Sequence, residues 1–278
     1  MKKSILLIAL LITTTLSFSQ KKEKVKGSKI VTVAVKKIES FNALEVADNL
    51  EIFLIKGTEN SLEIEADDNL HEAIDIAISG NTLRLSTTKD ITSSKKLSVR
   101  VTYTNDFNSI IARNEANITA LADLELDNIS LKNYDYSKLF INAKCKNITI
   151  QCDDKSKGEV NIKAENTTIN LLKNASIKAL VTSTNLTFDM YQKTEATVEG
   201  DVQAMKLRLD NNANFNGKTL IIKDLDLTTE SYTTAIVNVK ANAIIQASGK
   251  SEVQLFGEQK IDLRKFTDSA VLIKKPSK

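Results

Sequence analysis

The stretch SLEIEADDNLHEAI, Ser61 to Ile74, sets the only histidine of the chain among five carboxylates. Glu63 and Glu65 alternate with Leu62 and Ile64, so as a strand both carboxylates project from one face, close enough to share a cation. Asp67, Asp68, His71 and Glu72 follow, adding oxygens and one imidazole of the kind that holds zinc or manganese. The donor set is nevertheless short of nitrogen and sulfur. Structural zinc takes four soft or nitrogen ligands and catalytic zinc two or three histidines. The stretch therefore reads as a strand running into a helical turn. Asp67 or Asp68 would cap the turn, Leu70 and Ile74 would form its apolar side, and His71 would lie on an exposed surface. No metal and no cofactor is expected.

Other chemistries fall on the same shortage. A Ser–His–Asp or Cys–His arrangement would have to use His71, which neighbours no recognisable nucleophile motif, and neither G-x-S-x-G nor a phosphate loop occurs. Asn212 to Gly217, NANFNG, imitates the first half of a calcium loop, but its twelfth position is Lys223 where a bidentate glutamate is required. CDDKSKGE, Cys152 to Glu159, gathers Asp153, Asp154 and Glu159 at an acidic corner of the kind that binds calcium in β-helical polysaccharide lyases. The arginines (Arg84, Arg100, Arg113, Arg208, Arg264) show no register with that corner, so a non-enzymatic protein is expected. With no Trp and 5 Tyr, the flat aromatic platforms that contact sugars are few. Tyr134 and Tyr136 form the candidate contact patch. The Asn-x-Ser/Thr triplets at Asn117, Asn128, Asn147, Asn166, Asn174 and Asn185 read as asparagine corners leading into β-branched strands.

The elements that would position these residues begin after a leader. MKKSILLIALLITTTLSFSQ has a basic start, an apolar core from Ile5 to Leu16, and small Ser17 and Ser19 before a cut at Gln20, which marks a secretory signal peptide over 1–19. No cysteine follows the apolar core until Cys145, so none is available for lipid attachment there, and no later run is long enough to span a bilayer. The leader accounts for two of the 38 basic residues, leaving 36 against 35 acidic ones. So even a balance gives no bulk attraction to nucleic acid or to anionic lipid. Cys145 and Cys152 would enter an oxidising compartment. The strand NITIQC holds them beyond disulfide reach of about 7 Å. Cys152 is expected as a buried thiol and Cys145 as a corner residue open to intermolecular pairing.

A basic linker over 20–30 precedes strict alternation in IVTVAV, LEVADNLEIFLI, LEIEA, LRLS and LSVRVTY, the period of half-buried strands. Beyond Asn114 a longer rhythm appears. ANITAL, SKLFIN, GEVNIK, ASIKAL, EATVEG, NANFNG, TAIVNV and SEVQLF begin at intervals of 17 to 22 residues, with a second strand inside each interval. A unit of roughly 20 residues that cannot bury its own apolar row is the unit of a solenoid. The predicted fold is all-β, a parallel β-helix or β-solenoid, in one domain over 31–266. It has opening strands at 31–113, repeated coils at 114–257 and a tail at 267–278. An antiparallel sandwich is the alternative, and the scarcity of Asn-Gly and Asp-Gly turns argues against it.

IESFNALEVADNLEIFLIKG, LEIEADDNLHEAI, NTLRLS and LSVRVTY, followed by coiled strands and a closing VQLFG, resemble the secreted head GIN domain family of auto-transporter adhesins over about Ile38 to Gly257. The resemblance implies a secreted β-solenoid in a Bacteroidetes-type envelope, periplasmic or on the outer surface, with an adhesive role. Relatives begin many coils with a small residue and glycine, whereas the corners here read EAN, YSK, NAS, TEA, NAN and TTA. The functional expectation is a non-enzymatic envelope protein that presents its faces to a cell-surface protein or glycan. The alternatives are a polysaccharide-cleaving β-helix enzyme acting through Asp153, Asp154 and Glu159, and a scaffold that self-associates through open coil ends.

Overall fold

The computed structural model of the protein describes residues 22–276. The leader expected over 1–19 lies outside the described residues. The opening strands are β1 (Lys24–Lys26), β2 (Val31–Lys37), β3 (Ala43–Val46), β4 (Glu51–Lys56), β5 (Ser61–Asp67), β6 (Ile74–Ser79), β7 (Thr82–Thr87), β8 (Asp90–Ser93) and β9 (Leu97–Tyr103). The coils follow as β10 (Ser109–Ala112), β11 (Asn117–Ala120), β12 (Leu124–Asn133), β13 (Lys138–Cys152), β14 (Lys157–Leu172), β15 (Ser176–Tyr191) and β16 (Glu195–Asp210). They end with β17 (Asn214–Thr229), β18 (Thr234–Ala247), β19 (Glu252–Phe256), β20 (Lys260–Phe266) and β21 (Val271–Lys274). Among the described residues no helix is long and apolar enough to cross a membrane.

Each long strand carries two runs with a corner between them. In β14 the inward residues are Gly158, Val160 and Ile162 before the corner and Thr167, Ile169 and Leu171 after it. The inward phase changes from even to odd positions, which a straight strand with a side-chain period of two does not permit. The chain therefore bends across Lys163–Asn166, and each coil contributes to two sheets. The first runs β2-β5-β9-β4-β11, continues through the first halves of β13 to β18, and ends with β19 and β21. The second runs β6-β7-β3-β10, continues through the second halves of β12 to β18, and ends with β20.

The true coil length is 19 residues. Lys138 pairs in parallel with Lys157, Lys157 with Ser176, Ser176 with Glu195 and Glu195 with Asn214. The scatter of 17 to 22 in the sequence arose because apolar motifs were matched by their first recognisable residue, not by facing position. Genuine irregularities are small: a bulge between Gly217 and Ile221 shifts the pairing of β17 with β18. Two boundaries also differ from expectation. The stretch read as a linker contains β1, which pairs with β8, and the stretch read as a tail contains β21, which pairs with β19.

Register converts one residue choice into a column. Ile150, Ile169, Phe188, Leu207, Leu227 and Ile245 stack on one inward row and are fully buried. Removal of each such side chain from water contributes about 1.5–3 kcal/mol. At the corner, Asn147, Asn166 and Asn185 each donate Nδ2 to Oδ1 of the asparagine one coil earlier, at 2.7, 2.8 and 2.9 Å, beginning from Asn128. Four of the six Asn-x-Ser/Thr triplets are thus a single amide ladder.

The other bend is a tight turn. Asp135–Tyr136, Asp154–Lys155, Lys173–Asn174, Gln192–Lys193 and Asn211–Asn212 all take positive φ at both positions. The bonds Ser137 N→Tyr134 O and Ser156 N→Asp153 O close the turns. This primed form favours glycine. Non-glycine residues hold it because the next coil fixes them: Tyr136 N donates to Asp154 O, Lys155 N to Lys173 O and Lys193 N to Asn211 O. The residue after each pair points inward and is small, as in Ser137, Ser156, Ala175, Thr194 and Ala213, all buried.

Neither cysteine is bonded. Cys152 is wholly buried, and burial pushes its thiol up to about 12. Cys145 stands at the asparagine corner, half-buried, with its thiol raised by the same cause.

Replacing Asn166 by Ala removes an amide that donates to Asn147 and accepts from Asn185. The expected loss is about 1–2 kcal/mol, which at this chain length lowers Tm by about 2–8 °C. Thermal unfolding followed by circular dichroism measures it, and an unchanged Tm would mean that the ladder is incidental.

Candidate functional site

The acidic stretch around His71 serves as a cap. A 3-10 turn, Asp68–Ala73, links β5 in the first sheet to β6 in the second, and its buried Leu70 and Ala73 close the apolar interior at this end. Asp67 precedes the turn but makes no side-chain capping bond, contrary to expectation. Its carboxylate is fully buried and accepts from the backbone N–H groups of Lys29, Lys95 and Lys96 at 2.9, 3.0 and 3.0 Å. Burial works to raise its pKa, but these donors outweigh burial and hold the carboxyl below the ordinary carboxylate value. Gly27 makes the approach possible, since a Cβ there would lie 2.0 Å from Asp67 Oδ2.

Three of the four remaining acids have partners, and Glu72 is exposed with none among the described residues. Glu63 pairs with Arg100 at 2.5 Å, and Glu65 lies 3.9 Å from Lys96. Asp68 accepts from Ser28. His71 Nε2 lies 2.9 Å from Thr32 Oγ1. Among the described residues no three His, Cys, Asp or Glu side chains come together as a metal site.

The residues singled out near the turns divide between two surfaces. Tyr134 and Tyr136 bracket one turn and face different cations: Arg113 lies over the Tyr134 ring at 4.5 Å, while Lys155 donates to Tyr136 Oη at 2.7 Å. Asp153 and Asp154 belong to the next coil, and Lys173 Nζ stands 3.6 Å from each. These four residues share one edge. Glu159 does not join them; it lies on the outer face of the first sheet, 3.9 Å from Lys178.

The 19-residue register shows a surface that residue-by-residue reading missed. On the outside of the second sheet, Gln151, Asn170, Asp189 and Arg208 form one row. Beside it Leu172, Tyr191 and Asp210 form another, which Asp153 and Tyr134 continue at the same spacing. Coils stand about 4.8 Å apart, so the rows present planar amides, carboxylates, a guanidinium and a half-exposed tyrosine across about 14 Å. They line a groove of about 410 Å³. Asp210 is held by Ser231 Oγ at 2.7 Å. The side chains of Gln151, Asn170, Asp189, Tyr191 and Arg208 make no hydrogen bond or ion pair among the described residues. They contrast with the adjoining asparagine ladder, whose amides bond to one another. The sequence signal was the alternation N-L-T-F-D-M-Y, Asn185 to Tyr191, whose outward members are Asn185, Thr187, Asp189 and Tyr191. Arg208 has no partner among Asp153, Asp154 and Glu159; its neighbour in register is Asp189, 19 residues earlier and invisible without the register.

Planar polar side chains that offer paired donors and acceptors beside an aromatic ring match the hydroxyl edges and C–H faces of sugars.

A family model described as "Putative auto-transporter adhesin, head GIN domain" matches residues 40–258. Among solved structures, a "putative adhesin" from Parabacteroides merdae is similar at a TM-score of 0.62 and 14% identity, covering 92% of this chain and 98% of that one. A "putative adhesin" from Parabacteroides distasonis gives 0.56 at 14% identity, with 91% and 100% covered. A protein from the same organism named "Putative lipid binding protein" gives 0.57 at 12% identity, with 92% and 98% covered. At these identities the likeness is one of fold. No curated protein matches the chain.

The clamp at the closed end gives a pH-dependent expectation. A carboxyl with a lowered folded-state pKa contributes stability above its unfolded value and loses that contribution as pH falls through the folded value. Asp67→Asn should lower Tm by several degrees at pH 7. The gap from wild type should shrink as pH falls below the ordinary value of 3.8. Melting curves at pH 7 and at about pH 3 check both, and equal Tm values at pH 7 would remove the clamp from the account.

Proposed function

The chain belongs to the head GIN domain family of auto-transporter adhesins, and on that premise we propose that the outer face of its second sheet is a glycan-contact surface in a non-enzymatic envelope adhesin. The observation that carries this reading is the row of uncommitted polar groups from Gln151 to Arg208, beside a second row that holds Tyr191. Asn170, Asp189 and Arg208 alternate along the solenoid axis beside the exposed ring of Tyr191. Unpaired polar side chains held on adjacent strands keep their spacing without a ligand, which reduces the ordering cost of binding. A repeated row also suits a repeated ligand, because an extended chain gains contacts with each coil it crosses.

Tyr134 and Tyr136 extend the surface toward the opening strands, where Arg113 and Lys155 stack against them. Asp153 and Asp154, neutralised in part by Lys173, form its acidic margin. In this reading Glu159 has no part in contact, and no cofactor or metal is used. The leader read from the sequence suits export, and the even charge balance suits a neutral partner over nucleic acid or an anionic lipid surface. The protein would act outside the cytoplasm, in the periplasm or at the outer surface.

The test is retention on an array of host and bacterial polysaccharides, with and without calcium, with released sugar ends read in parallel. Wild type should be retained without release of ends. Tyr191→Ala and Arg208→Ala should each weaken retention by about tenfold or more, with unfolding curves unchanged because both side chains are at the surface. Retention indifferent to both variants would move the site elsewhere, and release of new ends would make the protein an enzyme.

A further inference from the structure

The two ends of the solenoid are not equivalent. The closed end has the Asp68–Ala73 turn laid between the sheets with Leu70 and Ala73 as its plug. At the opposite end the inward rows end, among the described residues, at β20 and β21. The row that is fully buried from Ile150 to Ile245 finishes at Leu263, which is 48% exposed. Ile261 and Phe266, the last members of the neighbouring rows, are 37% and 41% exposed, and Val271 on the last strand of the first sheet is 47% exposed. Among the described residues no strand pairs with the outer edge of β20 or β21. Solenoids ordinarily finish in a polar capping repeat, and an apolar strand edge of this kind takes up another strand.

We propose that this end is a self-association face, where two copies dock tail to tail in a closed twofold pair with β20 of one running antiparallel to β20 of the other. Charge selects this arrangement. In an antiparallel pair centred on Leu263, Asp262 of each copy stands opposite Arg264 of the other. Asp262 and Arg264 already pair within the strand at 3.3 Å. The twofold axis would close them into a ring of four charges with alternating sign, over a contact between the two Leu263 side chains. A twofold contact requires this self-complementarity. Head-to-tail stacking does not obtain it. In head-to-tail stacking β21 would lie on β2, and the lysines that end these two strands, Lys274 on one and Lys36 and Lys37 on the other, would stand together. The bulge at Arg264, which breaks the pairing of β20 with β18, works against a continued parallel stack.

Sedimentation velocity over a wide concentration range, on protein purified after production of the full-length chain, tests the pairing. A reversible monomer–dimer equilibrium is expected. Asp262→Arg places arginine against arginine and should weaken the dimer by about tenfold or more. The exchanged variant, Asp262→Arg with Arg264→Asp, restores opposite charges across the axis and should restore the dimer. Circular dichroism on each variant confirms that the fold is kept. A strict monomer at all concentrations, open-ended oligomers, or a dimer indifferent to Asp262→Arg would each overturn the proposal. So would an exchanged variant that folds but stays monomeric.

Discussion

Every coil of this protein depends on the same requirement: apart from the bonds that close its turns, its backbone N–H and C=O groups find partners in the coils before and after it. Parallel pairing at constant register fixes the repeat at 19 residues from β12 to β16, and a register shift lengthens it to 20 in the second half of β17. Once the repeat is fixed, side chains of successive coils are superimposed whether or not they suit one another. Apolar rows become a continuous core. Asparagines become a ladder. The left-handed pairs at the turns, unfavourable by roughly 1–2 kcal/mol per residue for non-glycine residues, are held because neighbouring turns bond to them. Glycine at these positions would avoid that cost; here the stack bears it.

The same constraint divides the outer surface into satisfied and unsatisfied parts. At the asparagine corner, Asn147 and Asn166 each donate to one neighbour and accept from the other, so the ladder commits part of its donors and acceptors to itself. A few positions further along the same strands, Gln151, Asn170, Asp189 and Arg208 are stacked equally well, but their polar groups are directed to solvent. The closed end is organised around a buried charge. Asp67 draws together the segment after β1, the segment before β9 and the 3-10 turn through three backbone donors. A buried carboxylate without such donors would be strongly unfavourable, so the carboxylate and its loops depend on each other.

The class of fold was legible because its signals are local: period-two alternation within strands and recurrence between them. The details that were not legible all concern facing relations. Nothing within SKLFIN or GEVNIK states that Lys138 faces Lys157, so the repeat could be estimated but not its register. Without register, Arg208 had no visible connection to Asp189, and Tyr191 none to Asp210. Glu159 was grouped with Asp153 and Asp154 by proximity in sequence, although the turn at Asp154–Lys155 sends it to the other sheet. The role of Asp67 was missed because its donors, at Lys29, Lys95 and Lys96, are backbone groups that no side-chain motif records.

The central claim is that the outer face of the second sheet is where ligand is held. Hydrogen–deuterium exchange in the presence and absence of a soluble polysaccharide retained on the array tests it without altering any residue. Slowed exchange should concentrate in 166–172, 185–191 and 204–210, the strand segments that carry the two rows. Protection confined to the first sheet or to the closed end, with none in these segments, would contradict the account.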